Sequence, residues 1–296
     1  GNTLYFSATD GSSGYELWMS NGTDAGTLRV KDINETGDSF PVSLTAVGSA
    51  LYFTADNGLE GRELWVSDGT ELGTKMVKDI NPTGSIYPNS LTAVGSNLYF
   101  VQNYDLWVSD GTDGGTFQIS GINSSDKSNP RNLLVVGEVL YFAATDGVSG
   151  IELWVLDADG PRMIKDINAG ARHSSPWGLT NLAGNLYFSA ADDVSSNNHE
   201  LWISDGTNAG TQKVKEINAT TGSRPNAVTA AANSLYFLAD DGVHGVELWG
   251  MNPGYVAPPV DDGSGGQADD GSGAFVALTP KRLLDTRSGD MVGELD

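Results

Sequence analysis

The stretch ELWVSDGTELGT, residues 63–74, decides how this chain is read. It opens on an acid, a leucine and a tryptophan, then turns through Asp68 and Gly69. The same words return as ELWMSNGTDAGT from Glu16, DLWVSDGTDGGT from Asp105 and ELWISDGTNAGT from Glu200. A second word precedes each of them: LYF begins at Leu4, Leu51, Leu98, Leu140, Leu186 and Leu235, and the matching tryptophans are Trp18, Trp65, Trp107, Trp154, Trp202 and Trp249. Successive LYF words stand 47, 47, 42, 46 and 49 residues apart. A period in this range is the signature of a repeat architecture.

Residues 41–80 are one full unit, PVSLTAVGSALYFTADNGLEGRELWVSDGTELGTKMVKDI. Turn residues divide it into four expected strands: a (43–47), b (51–55), c (63–67) and d (74–80). The Asp-Gly and Asn-Gly pairs between them supply the positive φ angles that tight hairpins need. No stretch has helical periodicity. The expected fold class is therefore all-β, a β-propeller of four-stranded antiparallel blades, with six blades. The chain holds 9 Phe, 10 Tyr and 7 Trp, and the LYF and ELW words take one Tyr, one Phe and one Trp for each of the six units. These words are expected to form the core between blades rather than a cofactor box, so truncating one of their tryptophans should cost about 3–5 kcal/mol.

Composition narrows function by exclusion. With 296 residues, 39% of them hydrophobic, the chain has material for a substantial core. The net charge of -22 argues against nucleic acid as a partner and against anionic membranes. The absence of cysteine excludes disulfides, thiolate metal sites and cysteine nucleophiles. No apolar run reaches the roughly 20 residues of a transmembrane helix. A start at Gly1 without a leader reads as a piece of a longer precursor.

The words ELWVSDGT, DLWVSDGT and ELWISDGT resemble those of the bacterial ELWxxDGT-repeat proteins, over residues 1 to about 252. The word drifts to ELWVLDADG at Glu152 and ends as ELWGMNPG at Glu247. The resemblance implies a large secreted or cell-surface bacterial protein with propeller-like repeats, and it brings no catalytic residues with it. The expected domains are a propeller over 1–252, an acidic Gly/Ser/Pro linker over 253–274 and, over 275–296, a docking tail or the start of a second module. The first unit has only b, c and d and the last only a, b and c, so two strands must come from elsewhere. FVALT, residues 275–279, has the character of strand a. The following ALTPKRLLDTRSGD resembles the opening of an Arg-Leu-Leu-Asp-Thr-Arg module of secreted actinobacterial proteins, which implies instead that FVALT belongs to a second domain.

In an up-and-down blade the b–c and d–a loops share one end. They are the loops that vary from unit to unit, so ligands are expected there. Four b–c loops carry a carboxylate at each end: Asp10 and Glu16, Asp56 and Glu63, Asp146 and Glu152, and Asp240 with Asp241 and Glu247. With backbone carbonyls each pair offers the oxygens Ca²⁺ prefers, against the alternative that Asp closes an Asx turn and Glu accepts backbone N–H groups. Unit 3, cut to VQNYD, should bind no ion. The d–a loops carry Phe40, Tyr87, Arg131, Arg172, His173, Trp177 and Arg224 beside prolines, a candidate ligand or partner surface in which Trp177 stacks on a sugar or a partner side chain, or else packs on the next loop. The lysines of VKDIN, Lys31, Lys78 and Lys165, are expected on outer strands, where they discourage edge pairing. Three scattered histidines and no nucleophile elbow or phosphate loop leave no catalytic constellation.

The sequence thus points to an extracellular structural or adhesive module that is not an enzyme. Its expected partner is a cell-surface or matrix protein or a glycan, with Ca²⁺ as the candidate cofactor and self-association through 253–296. A lectin with one pocket per blade and a hydrolase at the central channel are the alternatives.

Overall fold

A computed structural model of the protein describes residues 3–193, 198–231 and 233–251, together with the backbone of 281–282. The linker at 253–274, FVALT and the rest of the tail lie outside the described residues. Among the described residues every element of regular structure is a β-strand, and the strands make the blade sheets of a β-propeller, as the repeat predicts. The chain divides into two compact units, residues 1–140 and 141–296.

In the first unit, β1 (Leu4–Ala8), β2 (Glu16–Ser20) and β3 (Leu28–Lys31) form a three-stranded sheet. Strands β4 (Val42–Val47), β5 (Ala50–Asp56), β6 (Arg62–Ser67) and β7 (Lys75–Lys78) form the second blade in chain order. The third blade is β8 (Asn89–Val94), β9 (Asn97–Gln102), β10 (Asp105–Ser109) and β11 (Phe117–Gln118). The fourth sheet, whose strands fall on both sides of residue 140, is built from β12 (Arg131–Val136), β13 (Val139–Thr145), β14 (Ile151–Asp157) and β15 (Gly160–Lys165).

In the second unit follow β16 (Trp177–Leu182), β17 (Asn185–Ala191), β18 (His199–Ser204) and β19 (Gln212–Lys215). The last sheet contains β20 (Asn226–Ala231), β21 (Ser234–Asp240), β22 (Val246–Met251) and, from the tail, β23 (Lys281–Arg282).

The two words of the repeat are the paired central strands. Phe6 lies opposite Trp18, Phe53 opposite Trp65, Phe100 opposite Trp107, Phe188 opposite Trp202 and Phe237 opposite Trp249. Phe53, Phe100, Phe142, Phe188 and Phe237 are fully buried, and Trp65, Trp154, Trp202 and Trp249 nearly so. The uninterrupted apolar character of LYF follows, because a strand covered on both faces has no polar side to present. In the first blade, which has no fourth strand among the described residues, Leu4 of the same word is 65% exposed.

The DGT loops answer what the repeated signature is for. Within SDGTELGT, Ser67 and Thr74 share a 2.7 Å hydrogen bond, Gly69 N donates to Ser67 Oγ, Thr70 donates its N–H and hydroxyl to Asp68 Oδ1, and Gly73 N donates to Thr70 Oγ1. The same network recurs from Ser109 to Thr116 and from Ser204 to Thr211. The loop then receives two side chains of the preceding blade. A Cβ on Gly69 would stand 2.5 Å from Tyr5 Oη, one on Gly111 2.8 Å from Tyr52 Oη, and one on Gly206 2.6 Å from Tyr141 Oη, so only glycine admits the LYF tyrosine. Lys31 Nζ donates to Thr74 O, Lys78 Nζ to Thr116 O and Lys165 Nζ to Thr211 O. The VKDIN lysines are therefore ties between neighbouring blades rather than guards of a free edge. ELWxSDGT is a seam, and its Ser, Asp and Thr side chains are spent within it.

Candidate functional site

The carboxylate pairs of the b–c loops take separate sets of donors. Asp10 Oδ1 accepts from the N–H groups of Ser12 and Ser13, Asp56 Oδ1 from Gly58 N, Asp146 Oδ1 from Val148 N and Ser149 N, Asp240 Oδ1 from Gly242 N, and Asp241 Oδ1 from Val243 N and His244 N. These are Asx turns. Backbone hydrogen bonds from Ser12 and Ser13 hold the Asp10 carboxyl well below the usual carboxylate range. Asp241 sits at about 2 because the hydrogen bonds of His244 outweigh its partial burial.

The glutamates face the other way. Glu16, Glu63, Glu152, Glu200 and Glu247 are buried. Glu152 accepts from Ile167 N, Ser174 N and Ser174 Oγ, and Glu16 from Ile33 N, Ser39 N and Ser39 Oγ. Glu200 repeats the pattern with Ile217, Asn218 and Ser223, and Glu63 takes Ile80 N. Burial pushes Glu63 and Glu152 up to about 7 and raises Glu16 and Glu200, against the pull of these donors. Each of these four glutamates thus fastens its own d–a loop. Among the described residues no group of three or more His, Asp or Glu side chains is arranged to hold a metal ion, and these donor sets do not fit a shared Ca²⁺.

The d–a candidates are dispersed. Phe40 stacks on Tyr15, centroids 5.6 Å apart. Phe40 and Arg224 both have positive φ, 44° and 49°, immediately before proline, as do Asn129 and Ser175. Preceding proline, that conformation is strained, and the loop hydrogen bonds hold it. Arg131 is exposed at the start of β12, and Arg172 is exposed where Gly150 packs on its carbonyl. His173 Nδ1 accepts from Ile151 N at 2.8 Å, which leaves its proton on Nε2. Trp177 is partly buried as the first residue of β16, opposite Ser189.

Tyr87 of this set lines a cavity. A cleft of about 700 Å³ is lined by Ile80, Asn81, Ser85 and Tyr87, which follow β7 of the second blade, and by Asn89, Val101, Gln102, Asn103, Tyr104 and Trp107 of the third blade. Its origin is a missing loop. Gly58, in the b–c loop of the second blade, lies over Asn34 of the first blade's d–a loop, where an added Cβ would stand 2.7 Å from Asn34 Oδ1. Gly242 likewise lies over Asn218, at 3.0 Å. In the third blade the b–c loop shrinks to Asn103-Tyr104, with φ 51° and 64° and Gln102 paired to Asp105. That is a two-residue turn of the I′ kind. Nothing equivalent to Gly58 reaches Asn81, and the cleft opens there. Tyr87 is 71% and Tyr104 64% exposed at its mouth. None of the ten lining residues is charged, in a chain of net charge -22.

No family model and no curated protein matches the chain. Solved structures resemble it at low identity. A puromycin-hydrolyzing peptidase of Mycobacterium tuberculosis is 11% identical, with TM-score 0.48 over 85% of this chain and 43% of its own. A prolyl endopeptidase is 9% identical, with TM-score 0.49 over 85% of this chain and 39% of its own. A putative TolB from Agrobacterium tumefaciens is 11% identical, with TM-score 0.39 over 73% of this chain and 78% of its own. The chain spans about two fifths of the peptidases. These likenesses carry nothing about its chemistry.

The cleft was open to discovery in the sequence. The 42-residue step between Leu98 and Leu140 is the shortest of the five, and VQNYD shows where residues were lost. Read loop by loop, the deletion signals a missing ion site. Seen in space, it uncovers the loop of the blade before it.

Proposed function

We propose that the chain is an extracellular adhesive propeller module that holds a neutral glycan of a cell surface or matrix in the cleft between the second and third blades. The observation that carries this reading is the lining itself: two exposed tyrosines, a tryptophan and the amides of Asn81, Asn89, Gln102 and Asn103, without a charge. Aromatic faces suit the apolar C–H faces of sugar rings, and amides both donate to and accept from hydroxyls. A phosphorylated or basic ligand finds no counter-charge there. The resemblance to secreted repeat proteins supports the extracellular setting, and no helix among the described residues is long and apolar enough to cross a membrane. A lectin with one pocket per blade is not favoured, because the cleft depends on a deletion confined to one unit.

The test is titration with a panel of neutral oligosaccharides, read by calorimetry and by the fluorescence of Trp107. Saturable binding is expected, weakened about tenfold by Tyr87→Ala and by Tyr104→Ala, the equivalent of roughly 1.4 kcal/mol. Failure to bind any neutral glycan, or binding indifferent to both tyrosines, would overturn the assignment.

A further inference from the structure

Strand β23 occupies a place that the repeat defines. In each of the other five sheets the ELW tryptophan lies opposite one residue of the outer strand: Trp18 opposite Arg29, Trp65 opposite Met76, Trp107 opposite Gln118, Trp154 opposite Met163 and Trp202 opposite Lys213. In the last sheet Trp249 lies opposite Arg282, and Gly250 opposite Lys281, as Val66 lies opposite Lys75. The tail is thus in the register of a strand d. Aligned on that register, KRLLDTR, residues 281–287, matches KMVKDIN, residues 75–81: Lys281 falls on Lys75, Leu283 on the buried Val77 and Asp285 on Asp79.

The connection differs from all the others. Residues 68–74 or 110–116 join β6 to β7 and β10 to β11, too few to reach anything but the adjacent edge, whereas residues 252–280 separate β22 from β23. A connection of that length, taken as a random coil, spans roughly 30 Å. A strand added to a sheet edge binds through its main chain, and the edge does not distinguish a strand of its own chain from that of a second copy. We propose that the outer edge of β22 is a strand-acceptor site, and that its occupant, residues 281–287, is supplied by a second copy of this chain when copies are concentrated, linking molecules one to the next. The linker sets the balance, because the internal strand competes at the effective concentration that the linker allows. The acceptor edge lies on a different blade from the glycan cleft, so the two readings fail independently.

The chain has no cysteine, which makes the test clean. Two full-length variants, Gly250→Cys and Lys281→Cys, are mixed, oxidised and run without reductant. Directly opposed residues of an antiparallel pair lie within disulfide reach. A covalent heterodimer is expected, increasing with protein concentration, together with ladders from the doubly substituted chain at high concentration and an internal bond at low concentration. A heterodimer no more abundant than that formed with Ser264→Cys in place of Lys281→Cys would overturn exchange between copies. A double variant that forms only its internal bond at every concentration would overturn it as well. An absence of any bond in the double variant would overturn the acceptor site itself.

Discussion

The acid that opens each ELW word shows how much one buried side chain can hold. Glu152 collects Ile167 N–H, Ser174 N–H and the Ser174 hydroxyl, adding three buried bonds to those that Ile151 makes with His173 and Ser175 of the same loop. Glu152→Ala strands these donors, at about 1–3 kcal/mol each for the buried ones. A loss of about 3 kcal/mol or more in urea unfolding is the expected outcome. Asp10→Ala, which removes an exposed Asx turn, should move the urea midpoint far less. Equal costs for the two would mean that the glutamate is not the fastener described. The repeat displays this acid in every unit but hides its partners, which for Glu152 sit 15 and 22 residues further along, in loops of variable wording. A carboxylate bordering a glycine loop suggests an ion because local spacing is all that a sequence shows.

Among the elements, strands were the most legible and loops the least. Strand c was expected at 63–67 and runs over 62–67, while strand a begins one residue early. That precision comes from the words, whose aromatic residues must meet across the hairpin. Strand a also carries something that no pattern announced: Ser43, Ser90, Asn132, Gly178 and Ala227, the second residue of each such strand, all have positive φ, and the pairing with strand b shifts register around it in β4, β8, β16 and β20. Different side chains share one backbone state, so the demand comes from the sheet. Loop length is the element that matters for the cleft. Replacing Asn103-Tyr104 with DNGLEG, the b–c loop of the second blade, supplies the missing cover over Asn81. Glycan binding should disappear while the unfolding midpoint changes by only a few degrees, as seen in parallel calorimetry. Retained binding would place the site elsewhere.

For the whole molecule, the titrating groups pull in opposite directions at different pH. Burial raises the folded-state pKa of Glu63 and Glu152 from 4.5 to about 7, and that of Glu16 and Glu200 in the same direction. Groups of this kind stabilise the fold fully below 4.5 and lose that contribution as pH rises through about 7. The turn aspartates Asp10, Asp68, Asp110, Asp146 and Asp241 are lowered from 3.8, so their contribution exists above that value and is lost on further acidification. Stability should therefore rise from about pH 8 towards about 4.5 and fall below 3.8, as read by urea midpoints across that range. The net charge of -22 adds repulsion in the same sense above about pH 5. Molar salt removes the repulsion but leaves the burial effect, so the slope must survive in salt. A maximum at neutral pH would refute the argument.

The glycine that admits a neighbour's tyrosine, and the threonine carbonyl that receives its lysine, recur in the second, third and fifth units, at Gly69 and Thr74, Gly111 and Thr116, and Gly206 and Thr211. Such pieces are interchangeable parts. Copying a period that carries both halves of the joint repeats the same contact rather than requiring a new one. Where the lysine's place is taken by Ser120, the unit that follows has also lost its DGT loop, keeping only Asp157 to Gly160. There the lysine and the loop that would receive it are both gone, while Tyr99 of the LYF word stays.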